Sequence, residues 1–244
     1  IQLYTVRDLL AKDFAGTVRQ VADIGYRAVE MAGYGSLKSA GEARKALDVA
    51  GLKVLGAHAP IDALEKDAGK VMDENETLGN KNIICPWVPE DRRKDAAGWK
   101  AFADTLNRIG STLHQRGFVF AYHNHSFEFQ TFDGKKGYDI LWENTDPHLV
   151  RAEVDVYWVK HGGEDPIERL NKLGHRVLSL HLKDMAAGAD RKFAEVGTGI
   201  LDVKSILRTA EKNGVEFGAV EQDNTYDVPP LQAIRGRDDN LRKI

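Results

Sequence analysis

One short arrangement recurs along this chain of 244 residues: a helical stretch, a glycine, then a brief apolar run. Gly25 precedes Ala28-Val29-Glu30-Met31, Gly51 precedes Lys53-Val54-Leu55-Gly56-Ala57, and Gly79 precedes Asn82-Ile83-Ile84-Cys85. Gly117, Gly174 and Gly214 continue the series before Phe118-Val119-Phe120-Ala121, Val177-Leu178-Ser179-Leu180 and Phe217-Gly218-Ala219-Val220. A glycine just past a helix end takes the left-handed conformation without steric cost, so each marks a helix stop. Helix, stop and strand in repetition is the grammar of a parallel α/β fold.

Two further strand-like runs, Gln2-Leu3-Tyr4-Thr5-Val6 and Ala152-Glu153-Val154-Asp155-Val156, bring the count to eight, and no linker or change of composition divides the chain. That count predicts a closed (β/α)8 TIM barrel, a single domain over residues 1–244, in preference to an open sheet. Helices are expected at Phe14 to Ile24, Ser39 to Val49, Ile61 to Leu78, Asp95 to Arg116, Tyr138 to Asn144, Pro166 to Leu173 and Asp202 to Asn213. The eighth helix is poorly marked. After Pro229-Pro230 the segment Arg235-Gly236-Arg237-Asp238-Asp239 is too polar to close a barrel well, and reads as a docking tail or as a sign that the barrel is completed differently.

A formal net charge of -3 leaves no electrostatic footprint for nucleic acid or anionic lipid. No apolar run approaches the roughly 20 residues that span a bilayer, so no membrane partner is expected. The only cysteine, Cys85, cannot form an internal disulfide. The chain starts at Ile1, inside a strand pattern and without an initiator methionine, which suggests a removed or missing upstream segment. The compartment therefore stays open between cytoplasm and, after loss of a signal peptide, periplasm or exterior. No Gly-x-Gly-x-x-Gly or Walker-type loop is present, and Gly197-Thr198-Gly199 is as well read as a tight turn as a phosphate or hydroxyl site.

The chemistry lies where four strands turn polar: Tyr122-His123-Asn124-His125, Glu153-Val154-Asp155, Ser179-Leu180-His181-Leu182-Lys183 and Val220-Glu221-Gln222. Alternation along a strand sets His123 with Ala121 and His125, Asp155 with Glu153, His181 with Ser179 and Lys183, and Glu221 with Ala219. Phe118, Phe120, Tyr122, Val154, Val156, Leu178, Leu180, Leu182 and Val220 take the opposite face, which suits an outer layer of helices. In a barrel the C-terminal strand ends form the mouth, so these polar groups converge there. His123, Asp155, His181 and Glu221 then form a hard oxygen-and-nitrogen set for one divalent ion, Mn²⁺, Mg²⁺, Co²⁺ or Zn²⁺. Such an ion holds adjacent sugar oxygens and stabilises an enediolate, with Glu221 moving the proton and Lys183 neutralising an oxyanion. Glu153 lies one layer deeper, placed to orient His181 or Lys183.

Other residues have two readings each. An isolated buried histidine is more often a core group than a ligand; the face shared with Asp155, His181 and Glu221 argues for ligation at His123 and leaves His125 balanced. Glu30 and His58 reach the same mouth as substrate-binding groups or serve as plain structural polar residues. Trp87, Tyr157 and Trp158 stack on a sugar ring or cap the barrel.

Leu3-Tyr4-Thr5-Val6-Arg7-Asp8, the segment Tyr122 to Phe129, Asp155-Val156-Tyr157-Trp158-Val159, His181-Leu182-Lys183-Asp184, Val196-Gly197-Thr198-Gly199 and Val220-Glu221-Gln222-Asp223 together resemble the sugar phosphate isomerase/epimerase family of xylose-isomerase-like barrels. The resemblance spans nearly the whole chain. It implies a metal-dependent enzyme acting on a small-molecule sugar or keto-sugar by proton transfer, with Asp155, His181 and Glu221 matching ligands on the sixth, seventh and eighth strands. It also implies a homo-oligomer, since barrels of this family often pair.

One departure bears on mechanism. Epimerases of the family carry a glutamate on the fifth strand as ligand and second acid/base group, where this chain has His123. Either Glu128 in the loop beyond supplies the missing carboxylate, or His123 and His125 take over ligation and proton transfer. The first expectation is a sugar isomerase or epimerase. Its rival is a lyase or dehydratase of a keto-sugar or keto-glycoside, for which a single base suffices. A metal-free sugar-binding protein and an abasic-site endonuclease stand further off. The nuclease needs an Asp-x-x-His where Asp155 is followed by Trp158.

Overall fold

The computed structural model describes residues 1–241, with side chains through Arg235. Seven parallel strands run Ala28–Met31, Lys53–His58, Asn82–Cys85, Val119–His123, Arg151–Asp155, Val177–Leu182 and Phe217–Val220, each paired with the next in chain order. The first strand position is reduced to a single residue. Gln2 bridges Glu30 in parallel fashion and donates its N–H to the Val220 carbonyl at 3.0 Å, joining both edges of the sheet and closing the barrel.

The rest of the expected first strand is instead a turn of 3-10 helix, Leu3–Val6. The Gln2 side chain accepts from the Tyr4 N–H, and the Thr5 hydroxyl accepts from the Gln222 N–H at 3.0 Å. Leu3 and Val6 are buried all the same, among the apolar residues of the first helices, so burial accounts for the apolar letters without a strand.

Among the described residues, eight helices of eight residues or more pack around the strands: α1 Phe14–Ile24, α2 Ala40–Ala50, α3 Ile61–Leu78, α4 Ala96–Gln115, α5 Gly137–Asn144, α6 Pro166–Leu173, α7 Val203–Lys212 and α8 Pro230–Leu241. Side chains of Asp13, Ser39, Asp95, Asp165 and Asp202 accept from first-turn N–H groups and fix five of the starts. Gly51 and Gly79 end α2 and α3 at φ near +70°, a backbone region that suits glycine. α8 closes the ring of helices that the sequence leaves poorly marked: Ala233 and Ile234 are buried, and the Tyr26 hydroxyl donates to the Ile234 carbonyl at 3.2 Å. The side chains of 236–239, on which the docking-tail reading rests, lie outside the described residues.

Phe118, Phe120, Tyr122, Val154, Leu180, Leu182 and Val220 face the helices, as alternation requires. Leu178 does not. A register shift between Ala152 and Glu153 pairs them with Val177 and Ser179, leaving Leu178 as an extra residue that turns into the barrel beside Ile84 and Ala121. This small apolar plug lies beneath the polar layer, which thus has a dry floor.

Candidate metal centre at the barrel mouth

Glu153 is the hub of the polar layer. Its Oε1 lies 3.0 Å from His58 Nε2, 3.2 Å from His123 Nδ1 and 3.0 Å from His181 Nε2, while Oε2 accepts from Ser179 Oγ at 2.7 Å. Both ring nitrogens of His181 meet carboxylates: Nδ1 is 2.7 Å from Glu221 Oε2 and Nε2 is 2.7 Å from Glu30 Oε1. Glu30 is held in turn by the Gln2 amide at 2.6 Å. Gly56 makes room for it, since a Cβ there would come within 2.9 Å of Glu30 Oε2.

Nearer the mouth, Lys183 Nζ bridges Asp155 Oδ2 at 3.0 Å, Glu221 Oε2 at 2.7 Å and Asp223 Oδ1 at 2.7 Å. Asp155 is also the N-cap of the short helix Val156–His161, accepting from the Trp158 N–H at 2.9 Å, and its own backbone is gripped by the Asn124 amide. Nε2 of His123 is 3.8 Å from Asp155 Oδ2, on the opposite side of the ring from Glu153.

Charge decides protonation here. Burial works against the His181 cation, yet Glu153, Glu30 and Glu221 hold its pKa well above the ordinary imidazole value. Burial also opposes the His58 cation, but the hydrogen bonds it donates to Glu153 and Glu30 raise its pKa to about 9. His123 is pushed well down, by burial and then by the charge of His181. Burial and the Lys183 charge bring His125 down to about 3, so it is neutral. Glu221 is held well below the carboxylate range, Lys183 and His181 outweighing its burial, whereas burial lifts Asp155 to about 6.

Asp155, His181 and Glu221 offer ligand atoms within 4.8 Å of one another, and His58, His123, Glu153 and His181 form a second such group sharing His181. The donors fit a divalent cation. Buried carboxylates of Glu30, Glu153, Asp155 and Glu221 outnumber the one buried ammonium, Lys183, and without a metal the balance falls on protonated imidazoles. A buried set with that excess of negative charge is stabilised by a cation. His123 and His181 each turn one nitrogen to a supporting carboxylate and the other toward Asp155 or Glu221, the arrangement of a metal-binding histidine with its orienting partner.

A cavity of about 440 Å³ opens above this layer, lined by Tyr4, His58, Trp87, His125, Lys183 and Glu221 among others. Of the residues singled out in the sequence, His58, Trp87, His123, His125, Lys183 and Glu221 border it. Glu30 lies beneath, engaged with Gln2 and His181. Trp158 stands behind His125, their rings 5.5 Å apart. Glu128 is fully buried on the outer side of the fifth strand, accepting from Tyr122 Oη at 2.7 Å and the His125 N–H at 2.9 Å. Asp223 and Gln2 were not singled out as site residues; Asp223 lies two residues beyond Glu221, so the strand period carried a signal for it, whereas Gln2 meets Glu30 across 28 residues of sequence and carried none. The N–H groups of Gly197 and Gly199 are engaged within the chain, donating to Asp184 Oδ2 at 2.9 Å each.

The profile of the family described as "Xylose isomerase-like TIM barrel" matches residues 18–224. An inosose dehydratase of Clostridium beijerinckii is 26% identical over 264 residues, spanning 92% of this chain and 87% of its own. An inosose dehydratase of Clostridium botulinum is 25% identical over 267 residues, with the same coverage. Among solved structures, a sugar phosphate isomerase/epimerase from Parabacteroides distasonis superposes with a TM-score of 0.85 at 26% identity, over 100% of this chain and 97% of that one. The barrel and its clustered histidines and carboxylates are consistent with metal-dependent chemistry on a sugar, and the named relatives lean toward dehydration rather than isomerisation.

Proposed function

For a chain that belongs to the xylose isomerase-like TIM-barrel family, and that carries an imidazole where a second carboxylate base is expected, we propose a divalent-metal-dependent dehydratase or lyase acting on a keto-sugar or keto-cyclitol. The observation that carries this reading is the commitment of His123. Its Nδ1 is tied to Glu153 and its Nε2 faces Asp155, so the fifth strand supplies a ligand and no second base. Inversion at carbon needs an acid and a base on opposite faces; elimination beside a carbonyl needs one group. The names of the clostridial relatives support the same choice.

His123, Asp155, His181 and Glu221 are the residues assigned to hold the ion. When bound, it would supply Lewis-acid polarisation of the substrate's carbonyl. His125 is the assigned acid/base: it lines the cavity, is neutral, and has a buried Nδ1 with no hydrogen-bond partner. It takes the proton from the carbon beside the carbonyl and returns it to the hydroxyl leaving from the next carbon, so that water departs and a C=C bond forms. Lys183, held as an ammonium by Asp155, Glu221 and Asp223, neutralises the enolate oxygen. His58 and Trp87 border the substrate.

Metal content of the wild type and of His123→Ala, Asp155→Ala and His181→Ala tests the centre, with about one ion per chain expected and lost in the variants. Incubating the manganese-loaded protein with keto-inositols and 3-keto-glucosides in deuterated water tests the chemistry. Loss of water is expected; deuterium exchange into an intact carbon skeleton would return the assignment to isomerisation.

A further inference from the structure

Among the described residues of the histidine cluster, His58, His123 and His181 each set a ring nitrogen within 3.2 Å of a carboxylate, whereas Nδ1 of His125 is buried with no hydrogen-bond partner. A catalytic imidazole is ordinarily held in one orientation by the hydrogen bond of its other nitrogen. At His125 stacking takes that part. Its ring lies on Phe127, the centroids 5.2 Å apart and the planes inclined by 10°, and Trp158 flanks it at 5.5 Å. Phe127 in turn carries the Arg93 guanidinium, whose central carbon is 3.9 Å from the ring centroid. A guanidinium over an aromatic face is attracted by the ring quadrupole and packs flat on it. Nε of Arg93 is buried without a hydrogen-bond partner, so contact with Phe127 accounts for its position better than pairing does; the adjacent Arg92 reaches instead to Glu65 at 2.7 Å. The backbone of His125 is fixed separately, its N–H donating to Glu128 Oε2 at 2.9 Å. Rotation of the side chain is the freedom left to restrain.

We propose that Arg93 and Phe127 are positioning residues for His125: the guanidinium fixes the Phe127 ring, and that ring fixes the plane of the imidazole. The inference rests on the acid/base role given to His125 above. Phe127 lines the cavity and Arg93 does not, so a change at Arg93 reaches the substrate through the stack rather than by contact.

The first test is steady-state elimination from a keto-inositol by the manganese-loaded protein. In Arg93→Ala kcat should fall about tenfold with KM within about twofold of wild type, the pattern of a catalytic group that has lost its alignment. Phe127→Leu should lower kcat at least as far, and adding Arg93→Ala to it should cost nothing more, because both substitutions break one stack. The second test needs no turnover. In the diamagnetic zinc-loaded protein, the ring signals of His125, identified by their loss in His125→Gln, should carry an upfield ring-current shift that disappears in Phe127→Leu and shrinks in Arg93→Ala. A rise in KM with kcat unchanged, additive effects of the two substitutions, or His125 signals indifferent to Arg93→Ala would overturn the positioning role. A wild-type protein that eliminates nothing, while its His125 signals still move in Arg93→Ala, would remove the reaction and leave the orientation of His125 by Arg93 standing.

Discussion

Replacing Glu128 with glutamine should change how stability depends on pH, and the direction is fixed by its surroundings. Glu128 is fully buried beneath the loop that follows the fifth strand. Burial raises its pKa from 4.5 to about 7, against the opposing pull of the His125 N–H and the Tyr122 hydroxyl. The folded protein therefore keeps a proton that the unfolded chain releases as pH rises through the ordinary carboxylate range. Stability must fall with pH between the two values, by about 1.4 kcal/mol per pH unit at most, and by about 3 kcal/mol in total once pH exceeds the folded value. Below the ordinary carboxylate pKa both states are protonated and the effect vanishes.

Glutamine cannot ionise, so Glu128→Gln lacks this loss. It forfeits one acceptor, which lowers stability by a pH-independent amount, and the informative quantity is the difference between wild type and variant followed across pH. Urea unfolding at steps between about pH 5 and pH 8 should show the variant gaining on the wild type by about 2.5 kcal/mol over that window. A difference that stays flat would refute the reasoning, and would mean that the two donors outweigh burial and that Glu128 is folded in as a carboxylate.

Four further outcomes follow from the same geometry. Asp155→Asn keeps an oxygen for the Trp158 N–H but loses the charge facing Lys183, so metal affinity by calorimetry should fall at least about tenfold with a smaller fall in Tm than in Asp155→Ala. Gly56→Ala sets a Cβ 2.9 Å from Glu30 Oε2 and 3.0 Å from Ile84 Cδ1, and should cost about 1–3 kcal/mol in urea unfolding; a neutral result would show that Glu30 is free to move. Asp184→Ala strips an acceptor from the N–H groups of Met185, Gly197, Gly199 and Leu201, and should cost about 2–4 kcal/mol with amide exchange accelerating first at 197–201. His123→Glu sets a carboxylate against Glu153, and metal affinity lost in it should be recovered by adding Glu153→Gln, with a coupling of about 1–3 kcal/mol in the double-mutant cycle.

The parallel strands and the first seven outer helices were legible because each carries a local signal: a cap, a periodic apolar face, a glycine stop. The inward direction of His123, Asp155, His181 and Glu221 followed from the period of two. What could not be read depended on partners distant in sequence. Leu3 and Val6 look like strand residues because both are buried; that the backbone coils instead depends on Gln2 and on Gln222, at the other end of the barrel. Leu178 left the alternating pattern because the neighbouring strand is one residue short at that level. Glu153 read as a supporting residue one layer down, and its contact with three imidazoles emerges only once the third, fifth and seventh strands converge on it in the closed barrel. Gly197-Thr198-Gly199 read equally as a tight turn or as a ligand loop, and what its amides wrap is the side chain of Asp184, thirteen residues before Gly197.

Closure of the barrel and support of the candidate metal centre pass through one residue. The Gln2 N–H joins the first strand position to Val220, and its side-chain amide donates to Glu30, which holds the Nε2 edge of His181 while Nδ1 faces Glu221. Glu221 follows Val220 directly, so the hydrogen bond that seals the sheet and the carboxylate assigned to the ion are one residue apart. An ion that binds this set only when it is assembled must stabilise the closed ring, and by linkage whatever loosens the seam at Gln2 must weaken the ion's hold by the same free energy. A single-residue strand with a bridge to Glu30 on one side and a hydrogen bond to Val220 on the other is a sparse way to close a barrel, and the polar layer compensates by tying that residue to the seventh strand through Glu30 and His181. Fold closure and the geometry of the candidate site are in this sense one cooperative network.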